Sequence, residues 1–260
     1  MSARIRIYRA LARGVVLESL RRKDLWVVAI LGLLIMLTSG VLGFFGTSGL
    51  QMFIKDLGVT VLGAFATILA ILTSSRVLPD EIKQRTLYPL LSRPITRLDL
   101  LVGKFIGSVL VSWIAFLMLS VMMAVALVTF KVGFEPIMLQ YLLAKMMGLA
   151  VVCAVSIAFS AFMTPAAAST LSFILAFCSS MIVRALTVGY AGADDVSKWG
   201  FKALNAVIPQ FSLFDLGSRA ANLNWGLVPM WVIGFLFCYM VLYCSAMMSL
   251  AWLKFRKAAL

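Results

Sequence analysis

The chain contains no histidine, which removes the commonest metal ligand and the commonest general base near neutral pH. Its four cysteines all lie within apolar runs and form no CxxC pair, so we expect small buried residues rather than disulfides or a thiolate metal site. Only 10 residues are acidic, and the apolar runs hold no paired carboxylates. A membrane-embedded enzyme is therefore disfavoured, and we expect no catalytic, metal-binding or cofactor-binding residue on this chain.

Hydrophobic residues make up 63% of the sequence and charged residues only 13%, with a mean hydropathy of +1.04. These values indicate an integral membrane protein with no separate soluble domain. In a soluble chain the net charge of +13 would point to nucleic acid. Here the basic residues flank apolar runs, where they set the orientation of the chain in the membrane and bind anionic lipid headgroups. We therefore expect no nucleic-acid partner. No removable signal peptide is recognisable at the start.

Six apolar runs are each near the ~20 residues that a helix needs to cross a ~30 Å hydrocarbon core. We predict an all-α membrane protein, a single domain over residues 1–260. Its six transmembrane helices are predicted at 25–45, 57–78, 105–130, 142–163, 166–186 and 228–253. Thr164 and Pro165 divide the fourth run from the fifth, which predicts a tight turn there.

Residues 1–24 precede the first run and have the pattern of an amphipathic interfacial helix. Three arginines, Arg6, Arg9 and Arg13, flank its apolar face. That face is predicted to carry Ile5, Tyr8, Ala12, Val15, Val16 and Ser19. The alternative is an ordinary positive flank that only sets the orientation of the chain.

Residues 79–104 carry many charges between two apolar runs and are predicted to lie in water beside the membrane, on its cytoplasmic side. Pro79, followed by Asp80 and Glu81, indicates a helix start, because the ring suits the first turn and the carboxylates oppose the helix dipole. Glu81 and Arg85 stand one turn apart and can pair at the surface. Pro94 should stop this short helix.

A second helix is predicted to open just after that stop. Thr96 and Asp99 have the spacing of a capping box. On the far side of the membrane, the outer segment 187–227 is too polar to span and too apolar to float free, so we expect one or two short helices that lie at the outer face or dip into it. An ordinary ordered loop is the alternative.

Lys and Arg are distributed unevenly between the two sides. If both termini are cytoplasmic, 16 of the 23 basic residues lie at cytoplasmic flanks and seven lie at the opposite side or nearby span ends. This bias predicts that the N- and C-termini are in the cytoplasm.

Two stretches make the sequence resemble the ABC-2 type permeases, the membrane subunits of ATP-binding cassette exporters. The first is EIKQRTLYPLLSRPITRLDLLVGKFIG, with its acidic start, Leu-rich helix, S-R-P break and G-K-aromatic entry to the third span. The second is IPQFSLFDL in the outer segment, which is similar to a weaker family pattern. The resemblance covers essentially the whole chain through the order of these features.

The resemblance implies a transport subunit in a bacterial inner membrane. It implies a dimer, expected to contain two copies of this chain, with two ATP-binding subunits on separate chains that hold ATP and Mg²⁺. The sequence itself has no G-x-x-x-x-G-K-[ST] run. The resemblance further implies that residues 79–104 form a cytoplasmic coupling segment with a coupling helix. Besides the N-terminal helix, the expected coupling contacts with the ATPase are Asp80, Glu81, Arg85, Leu87, Leu90, Arg93, Thr164 and Pro165.

The substrate is expected to be hydrophobic, lipidic or glycan-like. Span five has a small polar side, which suits a substrate path or a dimer seam: Ser169, Thr170, Ser172, Ser179 and Ser180. Lys145 and Arg184 lie near the outer span ends, where they line a path for anionic cargo or snorkel to the interface.

A different function remains open within the same family. The chain would then be a mechanotransducing subunit that serves the maturation of envelope proteins, with accessory envelope proteins as partners, without bulk solute transport. A stand-alone secondary carrier is disfavoured, because no span carries the buried acidic residue that ion coupling usually needs.

Overall fold

The computed structural model describes residues 2–24, 26–27, 30, 32–33, 50–83, 96–129, 135–191, 198–200, 202, 208–221 and 226–257. Within these ranges the fold is all-helical. Five long helices follow the N-terminal helix α1 (Ser2–Arg21): α2 (Leu50–Lys83), α3 (Arg97–Thr129), α4 (Pro136–Phe162), α5 (Pro165–Ala191) and α7 (Met230–Lys257). Between α5 and α7 lie a 3-10 helix (Phe211–Phe214) and the short helix α6 (Gly217–Ala221).

Among the described residues, five helices are long and apolar enough to cross a membrane, so the chain is a multi-pass membrane protein. These candidate spans agree with the last five predicted ones: Lys55–Pro79, Arg97–Thr129, Pro136–Phe162, Pro165–Tyr190 and Met230–Lys254. The first predicted span, 25–45, lies largely outside the described residues. Helix α3 runs for 33 residues, about 50 Å at 1.5 Å per residue, and so exceeds the hydrocarbon thickness.

The predicted helix start at Pro79 is wrong, because α2 continues through this residue to Lys83. The apolar run before Pro79 already supplies a formed helix, so the proline removes one backbone hydrogen bond without forcing a new start. Long membrane helices tolerate such an interruption where neighbouring groups compensate for it. The predicted break at Pro94 lies outside the described residues.

The predicted start of α3 and the predicted turn before α5 are both confirmed. The Asp99 backbone N–H donates to Thr96 Oγ1 at 3.2 Å, and the Thr96 N–H donates to Asp99 Oδ2 at 3.3 Å, as a capping box requires. Helix α4 ends at Phe162, and α5 begins at Pro165. The Ala168 N–H then donates to the Thr164 carbonyl at 2.9 Å in the first turn of α5.

Helix α4 is the centre of the bundle and contacts α2, α3, α5, α6, α7 and the 3-10 helix. Every residue from 148 to 158 is buried, which requires neighbours on all sides of the helix. Six of these 11 residues are glycine, alanine, serine or cysteine, and such small residues allow helix backbones to approach closely.

Helix α1 packs along the first turns of α3, on a groove formed by two glycines. A Cβ atom added at Gly103 would lie 2.7 Å from Leu11 Cδ1, and one added at Gly107 would lie 2.8 Å from Val15 Cβ. Ala12 and Val15 are correspondingly buried. The predicted apolar face of α1 is therefore confirmed in its middle, whereas Ile5 is 53% exposed and lies beyond the groove.

Within its described residues the outer segment contains short helices as predicted, among them the 3-10 helix and α6, although α5 extends to Ala191. All four cysteines are free. Cys153 is buried and Cys178 and Cys244 are half-buried, but the expectation of burial is wrong for Cys238, which is exposed on α7. Its neighbours Phe235, Phe237 and Leu242 are exposed as well, and an apolar thiol fits such a lipid-facing surface.

The glycine groove gives a first prediction. Gly107→Ile should displace α1 and lower the free energy of unfolding by about 1–3 kcal/mol, because the added side chain overlaps Val15 and the Ala12 backbone. Trypsin should then cut faster after Arg9 and Arg13 in the detergent-solubilised protein. Gly234→Ile is the matched control, since its Cβ meets nothing within 4 Å. Equal cleavage rates in both variants would contradict the groove.

Candidate functional site

The predicted site residues fall at two opposite ends of the helical bundle. Leu78, Leu101, Ile157 and Ala251 form one cluster, which brings together the end of α2, the start of α3 and the ends of α4 and α7. Helix α1 packs at this same end, which we call the α1 end. At the other end, Lys55 of α2 forms an ion pair with Glu135 before α4 at 2.8 Å.

At the α1 end, Asp99 connects α1 to the cap of α3. The Tyr8 hydroxyl donates to Asp99 Oδ1 at 2.6 Å, and Thr96 Oγ1 donates to Asp99 Oδ2 at 2.6 Å. Asp99 is buried, and hydrogen bonds to a buried carboxylate are stronger than those between neutral groups. The start of α3 and helix α1 are thereby held as one unit.

The turn between α4 and α5 also lies at the α1 end. Thr164 is exposed and Pro165 is half-buried, so the turn presents its backbone and hydroxyl at the surface. The Lys254 ammonium lies 5.8 Å from the centre of the Phe162 ring, which places the end of α7 beside the turn. Arg97 Nη1 donates to the Arg256 carbonyl at 3.3 Å and links α3 to the same region.

The remaining predicted coupling residues are described only in part. Asp80 and Glu81 lie in the last turn of α2, of which the backbone alone is described. The other predicted coupling residues lie outside the described residues: Arg85, Leu87, Leu90 and Arg93. The two ends of the segment, Lys83 and Arg97, are both at the α1 end.

The opposite end contains a cleft of about 460 Å³ between α2, α4, α5 and the 3-10 helix, and we call this end the cleft end. Its size is typical of pockets for small molecules. Apolar walls come from Val59, Leu149, Val152, Phe177 and Phe211. Hydroxyl groups come from Thr60, Thr67, Ser179, Ser180 and Ser212, and charged groups from Asp56, Lys145 and Asp215.

Close packing against glycine holds the outer segment in the cleft wall. Phe214 is 1% exposed, and a Cβ at Gly148 would lie 2.8 Å from Phe214 Cβ. On the other side, a Cβ at Gly217 would lie 2.9 Å from Val59 Cγ1. The 3-10 helix is thus inserted into the bundle, as the apolar and aromatic residues of the outer segment predicted.

Lys145 spans the cleft and forms an ion pair with Asp215 at 3.3 Å. Its side chain lies against the backbone of α2, where a Cβ at Gly63 would be 3.1 Å from the Lys145 ammonium. The lysine side chain is 15% exposed and that of Asp215 is 53% exposed. The ammonium therefore sits inside the cleft while the carboxylate lies at its mouth.

The predicted path residues are divided by the structure. Lys145, Ser179 and Ser180 line the cleft. Ser169 and Thr170 donate to carbonyls of their own helix in its first turns, far from the cleft. The last two predicted path residues, Ser172 and Arg184, do not line the cleft.

Sequence reasoning missed Asp56, Asp215 and Phe177, and it noted Phe211 and Phe214 only as aromatic residues of the outer segment. The signal for Asp215 was present in IPQFSLFDL, a stretch that carries an acidic residue beside two aromatic ones. For Asp56 the signal was an acidic residue at the edge of an apolar run. Over the described part of the chain, no three His, Cys, Asp or Glu side chains come close enough together to hold a metal ion.

Comparison with known proteins identifies the family of this chain. No protein of curated function matches the sequence. The sequence model of one family, described as ABC-2 family transporter protein, matches residues 11–259, which include the second half of α1, all five candidate spans and both ends of the bundle. The chain therefore belongs to the ABC-2 transporter family.

Proposed function

We propose that this chain is the permease subunit of an ATP-driven exporter and that its α1 end receives a separate ATP-binding subunit. One observation carries the proposal: α1, both ends of segment 84–96, the turn at Thr164 and the end of α7 are gathered at one end of the bundle. ABC-2 family permeases work with ATP-binding cassette subunits. A partner docked there would contact four elements of the bundle at once.

The α1 end is suited to transmitting a movement into the membrane. Asp99 joins α1 to the capping box of α3, and α3 continues as one helix to Thr129. A push on α1 or on the segment before Thr96 would therefore move α3 as a stiff rod. The buried glycine groove makes separate movement of α1 unfavourable, since its contacts would be lost.

The α1 end is proposed to face the cytoplasm. The described parts of residues 1–24, 76–104 and 254–257 lie at this end, and in the sequence these three stretches carry 16 of the 23 basic residues. An excess of Lys and Arg marks the cytoplasmic side of membrane proteins. Both termini would then be cytoplasmic, and the cleft would open towards the outer half of a bacterial inner membrane.

The cleft supports a substrate with an apolar part. Phenylalanine and aliphatic side chains form its walls, and hydroxyl groups are interspersed among them. We propose that it lies on the transport route of a hydrophobic or lipid-like molecule. The working assembly is proposed to contain two copies of this chain and two ATP-binding subunits, which hold ATP and Mg²⁺.

Co-purification with the ATP-binding subunit tests the docking end. Glu81→Ala combined with Arg85→Ala should weaken the complex in detergent and lower its ATPase activity, because both charged side chains belong to the proposed coupling segment. Arg184→Ala combined with Lys202→Ala alters two charged residues at the cleft end and should leave complex and activity unchanged. Equal loss in both variants, or no complex with the native chain, would overturn the proposal.

Removal of the Tyr8 hydroxyl tests whether α1 transmits a movement of the ATP-binding subunit to α3. Tyr8→Phe removes the hydrogen bond to Asp99 and should lower the free energy of unfolding by about 1.5–3 kcal/mol, as expected for a bond to a charged group. In the assembled complex, ATPase activity should persist while transport falls. Tyr190→Phe, at an exposed position on α5, is the matched control. Unchanged transport in Tyr8→Phe would show that the Tyr8–Asp99 hydrogen bond takes no part in the coupling.

A further inference from the structure

The charges that line the cleft have the opposite balance to the chain as a whole. The protein carries a net charge of +13, yet the described lining residues of the cleft include two carboxylates, Asp56 and Asp215, and one ammonium, Lys145. Lys145 is already neutralised by Asp215. One net negative charge remains in a strongly basic protein.

Asp56 provides that remaining charge. It follows Lys55, whose side chain is 2% exposed and is turned inward to Glu135. Successive helix residues are rotated by about 100°, so Asp56 points away from this pair and to the cleft. Within the described residues, no cation pairs with the Asp56 carboxylate, and its side chain is exposed at the rim.

Two further observations indicate a ligand in this cleft. Ser179 is only 2% exposed and lines the cleft, and across the described ranges no side chain or carbonyl group accepts its hydroxyl proton. The Ser179 hydroxyl faces the cleft and is available there to a bound molecule or to water. Phe177 and Phe211 also line the cleft, and the face of an aromatic ring attracts organic cations.

We propose that the cleft binds an amphiphile with a cationic ammonium head, which sits between Asp56 and Asp215 while its apolar part lies against the phenylalanine walls. This inference rests on the proposed function in one respect only, which is that the bound amphiphile is also transported. The binding itself depends on the cleft alone. It replaces the expectation of an anionic cargo, because Arg184 is not in the lining and Lys145 is paired.

Lys145 has a defined part in this site. Its ammonium occupies the space beside Asp215 when the cleft holds no organic cation, in contact with the Gly63 backbone. An incoming ammonium group competes with it for the carboxylate at the mouth. Removal of the lysine charge should therefore strengthen cation binding, whereas an anion site would lose its main attraction.

Binding of dodecyltrimethylammonium, measured by isothermal titration on the purified chain in a neutral maltoside detergent, tests the site. Dodecyl sulfate, with the same tail and the opposite charge, is the reference ligand. The native chain should prefer the cation. Asp56→Asn and Asp215→Asn should each weaken cation binding about fivefold, as expected for one charge removed at a partly exposed site. The amide oxygen of the Asp215→Asn variant can still accept the Gly217 N–H, which donates to Asp215 Oδ1 at 3.1 Å in the native chain.

Two more variants make the test decisive. Lys145→Gln should tighten cation binding about fivefold, and the double variant Asp56→Asn with Asp215→Asn should prefer dodecyl sulfate. Asp24→Asn, an equal change of charge beyond the end of α1, is the matched control and should bind like the native chain. Absence of binding, a preference for the anion in the native chain, or affinities independent of these charges would overturn the proposal.

A second set of binding measurements identifies the molecule that carries the ammonium group. In nanodiscs, competition by phosphatidylethanolamine but not by phosphatidylglycerol would assign the site to a lipid headgroup. Competition by neither lipid, with cation binding retained, would assign it to a soluble organic cation. Because these measurements need no ATPase, a cleft without cation binding would leave the docking result at the α1 end intact, and loss of docking would leave the cleft result intact.

Discussion

Close packing around helix α4 is the constraint on which the rest of the structure depends. Lipid tails are as apolar as the side chains they contact, so helices in a membrane associate through tight van der Waals contact rather than through removal of apolar surface from water. The stretch from 148 to 158 is buried throughout, and Gly148 admits Phe214 to contact distance. Were this helix lined with large residues, both the 3-10 helix and the cleft beside it would be displaced.

The same physical rule operates again at the α1 end. Gly103 and Gly107 form a shallow groove for Leu11, Ala12 and Val15, and Asp99 adds a polar attachment just before it. An amphipathic helix could otherwise lie in the headgroup layer, as the sequence suggested. Fixed contact with α3 instead makes α1 part of the helical bundle.

Local signals in the sequence predicted the fold well. The spacing of Thr96 and Asp99 and the position of Pro165 depend on neighbours within one turn, and both predictions are confirmed. Apolar runs likewise located the last five spans. The predicted helix start at Pro79 was wrong, because a proline in the sequence does not show whether a helix is already formed before it. The cleft could not be predicted, since Lys145 and Asp215 are 70 residues apart and their pairing depends on tertiary packing.

The acidic residues at the cleft end show how charge and position combine. Ions are costly to bury, and a partner in good geometry offsets that cost. Lys55 forms such an ion pair with Glu135, and Lys145 forms one with Asp215. Asp56 is the carboxylate of the cleft that takes no part in these ion pairs. Its side chain is exposed at the rim, where water can solvate it when the cleft is empty. A charge kept beside an apolar cleft and not used to hold helices together is available to select a ligand by its sign, which a purely apolar wall cannot do.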